Sequence, residues 1–406
     1  MIQIEKIIPG GQALATLPDG KKIFLWGALP GEVVKDYIVT KTKSHFVEAI
    51  AQTIENSSPH RVQPKDACWL STSPWQILDY QYELTLKQSL VVEIFREHQI
   101  DISLPEIITD NKEYFYRNKM EYSLYWDKEE AIIKLSFHQR GTHRKIPIDH
   151  SSLERPEIFQ KATDIVNQLN NTHEEARKYQ SLLLRCNQNG EVSGGLYENR
   201  QPHPIFPNLR DLVAGYEYSY SPNGFFQINL PVYELALHEI AEHIATDEVL
   251  DLYAGVGTIG LSVARDTNLT LVEVDKNAFR ELANNITTRN ATIEPIKETD
   301  SPYPNQTTIR HGNLTAILDK SENVTEYLKP NQTIILDPPR SGCDSKLINK
   351  LLETCPATVI YLSCNPATQA RDVKQLLTKY RIKTIKTYNF FPHTPHIENL
   401  TVLSLK

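Results

Sequence analysis

Two apolar runs near the carboxyl end stop at residues that can do chemistry. Ala357-Thr358-Val359-Ile360-Tyr361-Leu362 runs into Ser363-Cys364-Asn365-Pro366, and Thr333-Ile334-Ile335-Leu336 into Asp337-Pro338-Pro339-Arg340. Each reads as a buried strand that delivers a polar residue and a proline to the carboxyl edge of one sheet, where open α/β folds bind ligands. A thiol at such an edge is a candidate nucleophile if its pKa is lowered or a proton acceptor lies beside it. A third group, Glu398, ends Phe391-Pro392-His393-Thr394-Pro395-His396-Ile397-Glu398, a segment stiffened by two prolines before a final apolar strand. Alone, a cysteine is more often a small core residue and a glutamate a solvated charge. The conjunction of the three in order favours catalysis.

A thiolate, a base and a polar anchor suit one reaction in particular. A pyrimidine C5 is a poor nucleophile, but adding a thiolate at C6 makes it enolate-like and able to take a methyl group from a sulfonium. The C5 proton then leaves to a base and the thiolate is eliminated. Cys364, Glu398 and Asp337 supply those three types.

These groups need a scaffold, and the chain from about residue 215 onward reads as one. Strand Glu248–Tyr253 leads into Ala254-Gly255-Val256-Gly257-Thr258-Ile259-Gly260, then the helix Thr258–Arg265, strand Leu269–Val274 and helix Asn277–Arg289; the strands at 333–336 and 359–362 follow. The alternation predicts a doubly wound, mainly parallel α/β sheet. The glycine turn matches G-x-G-x-x-G between a strand and a helix, and Glu273 closes the next strand, where a carboxylate can accept from ribose hydroxyls. A dinucleotide and S-adenosylmethionine both fit that pattern. Asp251 leans towards the second, because a carboxylate suits an ammonium better than a pyrophosphate.

Upstream, residues 1 to about 57 carry short β-prone runs and turn signals at Gly10-Gly11, Asp19-Gly20 and Pro30-Gly31, predicting a small closed barrel, with Ser57-Ser58-Pro59-His60 as a linker. Tyr80–Gln99 has helical periodicity, and residues 113–210 mix strands with a helix near Pro156–Asn170. No apolar run approaches the roughly 20 residues needed to span a bilayer, and no signal-peptide pattern opens the chain, so a cytoplasmic protein is expected. The net charge of −7 excludes the global signature of a nucleic-acid binder. Any such role rests on local patches; Lys134–Lys145, with four basic residues and two histidines, reads equally as a phosphate-contacting patch or as a solvated strand and turn.

The ordered set Phe225-Phe226-Gln227-Ile228-Asn229, Asp251-Leu252-Tyr253-Ala254-Gly255-Val256-Gly257, Asp337-Pro338-Pro339-Arg340, Ser363-Cys364-Asn365-Pro366 and His393-Thr394-Pro395-His396-Ile397-Glu398 resembles the RNA uracil-C5 methyltransferases that act on tRNA or 23S ribosomal RNA. Residues 1–57 resemble their TRAM domain, an OB-like RNA-binding β-barrel. Residues 58–79 and 111–212 resemble their central α+β RNA-binding domain, and 80–110 with 213–406 the Rossmann-like methyltransferase domain. The resemblance implies Cys364 as nucleophile, Glu398 as the base and Asp337 as anchor for substrate and cofactor. It also implies S-adenosylmethionine contacts at Gln227, Tyr253, Gly255, Gly257, Glu273 and Asp337, an RNA partner without a membrane, and a monomer. An amino-group methyltransferase, a nicotinamide-dependent oxidoreductase and a non-catalytic RNA-binding protein are the alternatives.

The chain departs from the family in one place. Many barrel-bearing members hold a four-iron, four-sulfur cluster on four cysteines, the usual requirement. Here the segment Lys65–Gln76 retains only Cys68, and Asp149-His150-Ser151-Ser152 has no cysteine. No cluster or metal is expected, with packing through Trp69 and Trp75 in its place.

Overall fold

A computed structural model describes residues 1–103, 107–198, 206–289, 297–300 and 307–406. The nucleus of the catalytic half is a nine-stranded sheet. Its parallel centre runs, in spatial order, Leu314–Leu318, Asn268–Glu273, Glu248–Leu252, Thr333–Leu336 and Thr358–Ser363. The chain winds outward from Glu248–Leu252 in one direction and then returns to its other side with Thr333–Leu336. The switch point therefore falls between those two strands, where Leu252 is paired with Leu336. Both strands are buried on both faces, as their unbroken apolar runs require.

The sheet is less parallel than the sequence pattern suggests. Its far edge is a pair of antiparallel strands, Glu398–Leu405 against Thr358–Ser363 and Tyr380–Tyr388 against Glu398–Leu405. Two more antiparallel strands, Thr307–His311 and Lys297–Asp300, extend the opposite edge. Short antiparallel additions leave no helix-crossover signal in sequence, which is why they escape a βα reading.

The first fifty-odd residues form a six-stranded sheet that returns on itself. Ile2–Gln3 pairs with Val33–Thr42, and Lys6–Ile7, a few residues on, pairs with Ala13–Thr16 at the other end of the strand order. The Asp19-Gly20 hairpin joins Ala13–Thr16 to Lys22–Trp26, with Gly20 at φ 85°. A separate five-stranded antiparallel sheet centred on Lys119–Asp127 and Tyr179–Cys186 is covered by the helix Pro156–Asn171. The long helix Tyr80–Glu97 lies on the catalytic half. Leu90, Val91, Ile94 and Phe95 join one core with Leu347, Leu351, Val373 and Leu376, each such burial contributing about 1.5–3 kcal/mol. Among the described residues no helix is long and apolar enough to cross a membrane.

Candidate active site

The carboxyl edge of the sheet gathers the acids. At the end of Glu248–Leu252 the backbone turns through left-handed conformations at Tyr253 (φ 65°), Gly255 (57°) and Gly257 (88°) before the helix Thr258–Val263. A side chain at Gly257 would collide with Leu282 and Leu261, and one at Gly260 would sit 2.6 Å from Asp251 Oδ2. Gly257 is thus required by packing as well as by φ, Gly260 by packing and Gly255 by φ. Asp251 Oδ2 accepts from the Gly260 N–H at 2.9 Å, while the buried Oδ1 has no hydrogen-bond partner. Burial pushes this carboxyl up to about 8 against the Gly260 N–H, with Asp337 and Glu273 adding to the rise. Glu273 accepts from Gly255 N–H at 2.7 Å with one oxygen and from Val274 and Asp275 N–H with the other, which locks it beside the turn. An orphaned buried carboxylate oxygen fits an ammonium group and repels a phosphate.

On the other side of the switch point stand Asp337, Cys364 and Glu398. Ser363 is paired with Asn399, so the next opposed pair in that antiparallel register is Cys364 with Glu398. The two prolines ahead of Glu398 and the strand itself deliver this glutamate to Cys364. Asn365 fastens the other strand end. Its side chain caps the helix Pro366–Leu376 by accepting from Ala367 N–H, and its Nδ2 donates to the Arg340 carbonyl at 2.8 Å. Cys364 is half-buried. Burial pushes its thiol up to about 11, Glu398 and Asp337 push the same way, and Arg340 opposes them. Glu398 is buried and raised well above the usual carboxylate range, by desolvation and then by Asp337, with Arg340 again opposing. Asp337 keeps part of its surface open, yet the surrounding protein desolvates its carboxyl enough to raise it to about 7.

Tyr233, on the helix Leu230–Ala241, ties the two sides together. Its buried phenol is raised first by desolvation and then by Asp337, Asp251 and Glu398 together. The sequence-predicted acids and thiol therefore converge. Tyr253 faces differently: it lines a cavity of about 620 Å³ with Glu322, Cys343, Asp344 and Arg371, and Gln227, Cys364 and Glu398 do not line it. Gln227 is buried, and its carbonyl accepts from Asn118 Nδ2 at 2.9 Å, joining the five-stranded-sheet region to the catalytic half.

Three groups escaped the sequence reading. Arg340 was visible only as the end of Asp-Pro-Pro-Arg. Its guanidinium contacts His396 Nδ1 at 3.2 Å, and burial with nearby Arg340, Lys87, Arg117 and Arg140 lowers His396 to about 4, leaving it neutral. Tyr233 gave no signal beyond helical periodicity. Glu83 and Lys87 gave one: two opposite charges four residues apart on the apolar face of Tyr80–Glu97.

The structure adds to one local expectation and narrows another. The segment Lys65–Gln76 is held by a polar network as well as by its tryptophans. Asp66 accepts from the N–H and hydroxyl of Ser152, and Gln76 donates to Asp66 and Ser73 while accepting from the N–H groups of Lys65 and Asp66. Trp75 donates to the Gly11 carbonyl in the barrel, and Trp69 lies against Gly27 there. Burial pushes the Cys68 thiol up to about 11, and no cluster of three or more metal-ligating side chains occurs among the described residues. The basic stretch at 134–145 is largely used internally. Lys134 pairs with Asp127 and Glu130, Lys145 donates to the Leu124 carbonyl, and Arg140 stacks on Trp26 at 4.1 Å while donating to the Leu70 carbonyl. His138, His143 and Arg144 remain exposed.

Residues 210–406 match the family model of tRNA (uracil-5-)-methyltransferase. Over those residues the chain is similar to that family. The oxidoreductase and non-catalytic readings fall with that match, and the enzyme is an RNA methyltransferase by family. Proteins described as uncharacterized RNA methyltransferases are similar along nearly the whole chain. One from Prochlorococcus marinus is 29% identical over 92% of this chain and 99% of its own. One from Bacillus anthracis is 27% identical over 95% and 92%. The fold is shared with the tRNA (uracil-54, C5)-methyltransferase of Pyrococcus abyssi, solved in complex with S-adenosyl-L-homocysteine. That structure has a TM-score of 0.73 at 23% identity, covering 99% of this chain and all of that one.

Proposed function

We propose that this enzyme methylates C5 of a uridine in structured RNA, with S-adenosylmethionine as methyl donor, through a covalent bond between Cys364 and uracil C6. The observation that carries the reading is the Cys364–Glu398 register pair facing Asp337 at the switch-point edge. The orphaned Asp251 oxygen fits the cofactor's ammonium, and Glu273 and the turn at Gly255 and Gly257 suit its ribose. Gln227 and Tyr253 are the remaining assigned contacts. Bound there, S-adenosylmethionine supplies an electrophilic methyl group on a sulfonium.

The residues divide the work. Cys364 is protonated at rest, so its proton must pass to a neighbouring carboxylate as sulfur adds to C6; Asp337 beside it can take that proton, which leaves Glu398 free for the C5 proton. Asp337, half neutral near pH 7, can donate to or accept from the uracil and hold it. After C5 has gained its methyl group, Glu398 removes the C5 proton and sulfur leaves C6. A base with a pKa raised by burial is suited to that step.

The target uridine must leave its stack to reach this edge. The barrel, read as a TRAM-like module over 1–57, and the central domain over 58–79 and 111–212 would grip RNA backbone. Exposed Lys43 and His45 on the barrel hairpin, near His143 and Arg144 across the Thr40–Gly141 contact, offer charge for phosphates. tRNA is the first substrate to test, given the family and the Pyrococcus abyssi relative, with 23S rRNA second. Glu398→Gln should stall after methyl transfer and leave a protein–RNA adduct that migrates slowly on a denaturing gel. Continued turnover without adduct removes Glu398 from the role of base.

A further inference from the structure

The buried ion pair of Glu83 and Lys87 is used by none of the chemistry above, yet its hydrogen bonds outside its own helix fall on one loop, with the Trp75 ring 5.7 Å from the Lys87 ammonium. Both side chains are fully buried on Tyr80–Glu97, and the Lys87 ammonium is 2.8 Å from the Glu83 carboxylate. Both Glu83 oxygens accept from the His393 N–H at 3.0 Å. Lys87 donates to Asn389 Oδ1 at 2.7 Å and to the Phe391 carbonyl at 3.0 Å. Residues 389–393 open the connection between Tyr380–Tyr388 and Glu398–Leu405, and Glu398 closes it.

That connection needs holding. His393 is a non-glycine residue at φ 60°, a conformation costly for a side chain with a Cβ unless the surroundings impose it. The surroundings do so from both sides. Trp75 N–H donates to the His393 carbonyl and Tyr116 Oη to the Pro392 carbonyl, while Asn229 Nδ2 reaches the Phe390 carbonyl. The Glu83–Lys87 pair grips the loop at both Asn389 and His393 with charge-assisted bonds in a dry environment, where such bonds are strongest, and Tyr80 on the same helix reaches both residues with its hydroxyl and ring. Cys364 is supported independently by Asn365, Arg340 and the helix Pro366–Leu376.

We propose that Glu83 and Lys87 are positioning residues for the base: they set the path of residues 389–393 so that the Glu398 carboxylate reaches the C5 proton after the methyl group has been transferred. This rests on the assignment of Glu398 above. It predicts a selective defect. Loosening the pair slows breakdown of the methylated adduct more than its formation, because the nucleophile stands on the other strand end.

The double variant Glu83→Gln/Lys87→Met removes both buried charges together and so keeps the fold, checked by its melting temperature. The probe is RNA from a strain lacking the gene, grown on uridine tritiated at C5, incubated with excess enzyme and S-adenosylmethionine. We expect methyl transfer to RNA within about threefold of wild type, tritium release slowed roughly 10–100-fold, and adduct accumulating on a denaturing gel as it does for Glu398→Gln. Methyl transfer and tritium release falling together, or both staying at the wild-type rate, would overturn the positioning role while the assignment of Glu398 stands. If Glu398→Gln itself traps no adduct, that assignment fails and this inference goes with it.

Discussion

Glu83 and Glu398 are both buried glutamates pushed upward by desolvation, and they bear on the same loop, yet their surroundings are opposite. Glu83 is answered by Lys87 at 2.8 Å and by the His393 N–H. Glu398 has another acid, Asp337, as its leading charged neighbour, and Arg340 offsets it only in part. A buried charge that serves the fold is matched, since an unmatched one costs several kcal/mol. A buried acid set against an acid is poised to exchange a proton at neutral pH. One loop thus begins at a structural glutamate and ends at a chemical one.

The largest effect that bears on this contrast is at Cys364. Cys364→Ala should abolish methyl transfer, by roughly 10⁴–10⁶-fold as for removal of other nucleophiles, with an unchanged melting temperature because the side chain is small and half-buried. Methylation at a normal rate would remove the chemical end of the comparison altogether. The same substitution at the two glutamates then separates their roles. Glu83→Gln leaves Lys87 buried and unpaired and should cost about 3–5 kcal/mol in urea unfolding at neutral pH. Glu398→Gln relieves repulsion with Asp337 and should gain roughly 0.5–2 kcal/mol while losing turnover. Shifts of the same sign would break the comparison.

Much of the architecture was written locally. Thr333–Leu336 is the strand its apolar run announces, Thr358–Ser363 extends the expected strand by one residue at each end, and the Asp19-Gly20 hairpin follows from turn chemistry. The candidate acids and thiol were legible because each ends a strand or precedes one beside a proline. What was not legible depends on partners far apart in the chain. The register that sets Glu398 beside Cys364 comes from an antiparallel edge that no crossover helix advertises. Lys87 meets Asn389 across 302 positions of sequence. The basic stretch at 134–145 is absorbed both locally, where Asp127 and Glu130 pair with Lys134, and at a distance, where docking of the barrel brings Trp26 under Arg140.

Asp251 tests the contrast from a third position, with the smallest expected effect. Its carboxyl rises from an ordinary 3.8 to about 8 in the folded protein, mainly by desolvation. The native state therefore keeps its proton over a range where the unfolded chain has lost it. The stability this contributes is fully present below pH 3.8 and is lost as pH rises through about 8. Between those limits the wild type should lose stability relative to Asp251→Asn by up to about 1.4 kcal/mol per pH unit, read as the difference between their urea-unfolding free energies. Asparagine can still accept from the Gly260 N–H, so the difference isolates the titration. S-Adenosylhomocysteine carries the same ammonium as the cofactor. If that ammonium meets the orphaned Oδ1, saturating ligand should flatten the wild-type dependence and leave that of Asp251→Asn unchanged. A wild-type slope that persists with ligand bound would place Asp251 with Glu83, as an acid that serves the fold, rather than with Glu398.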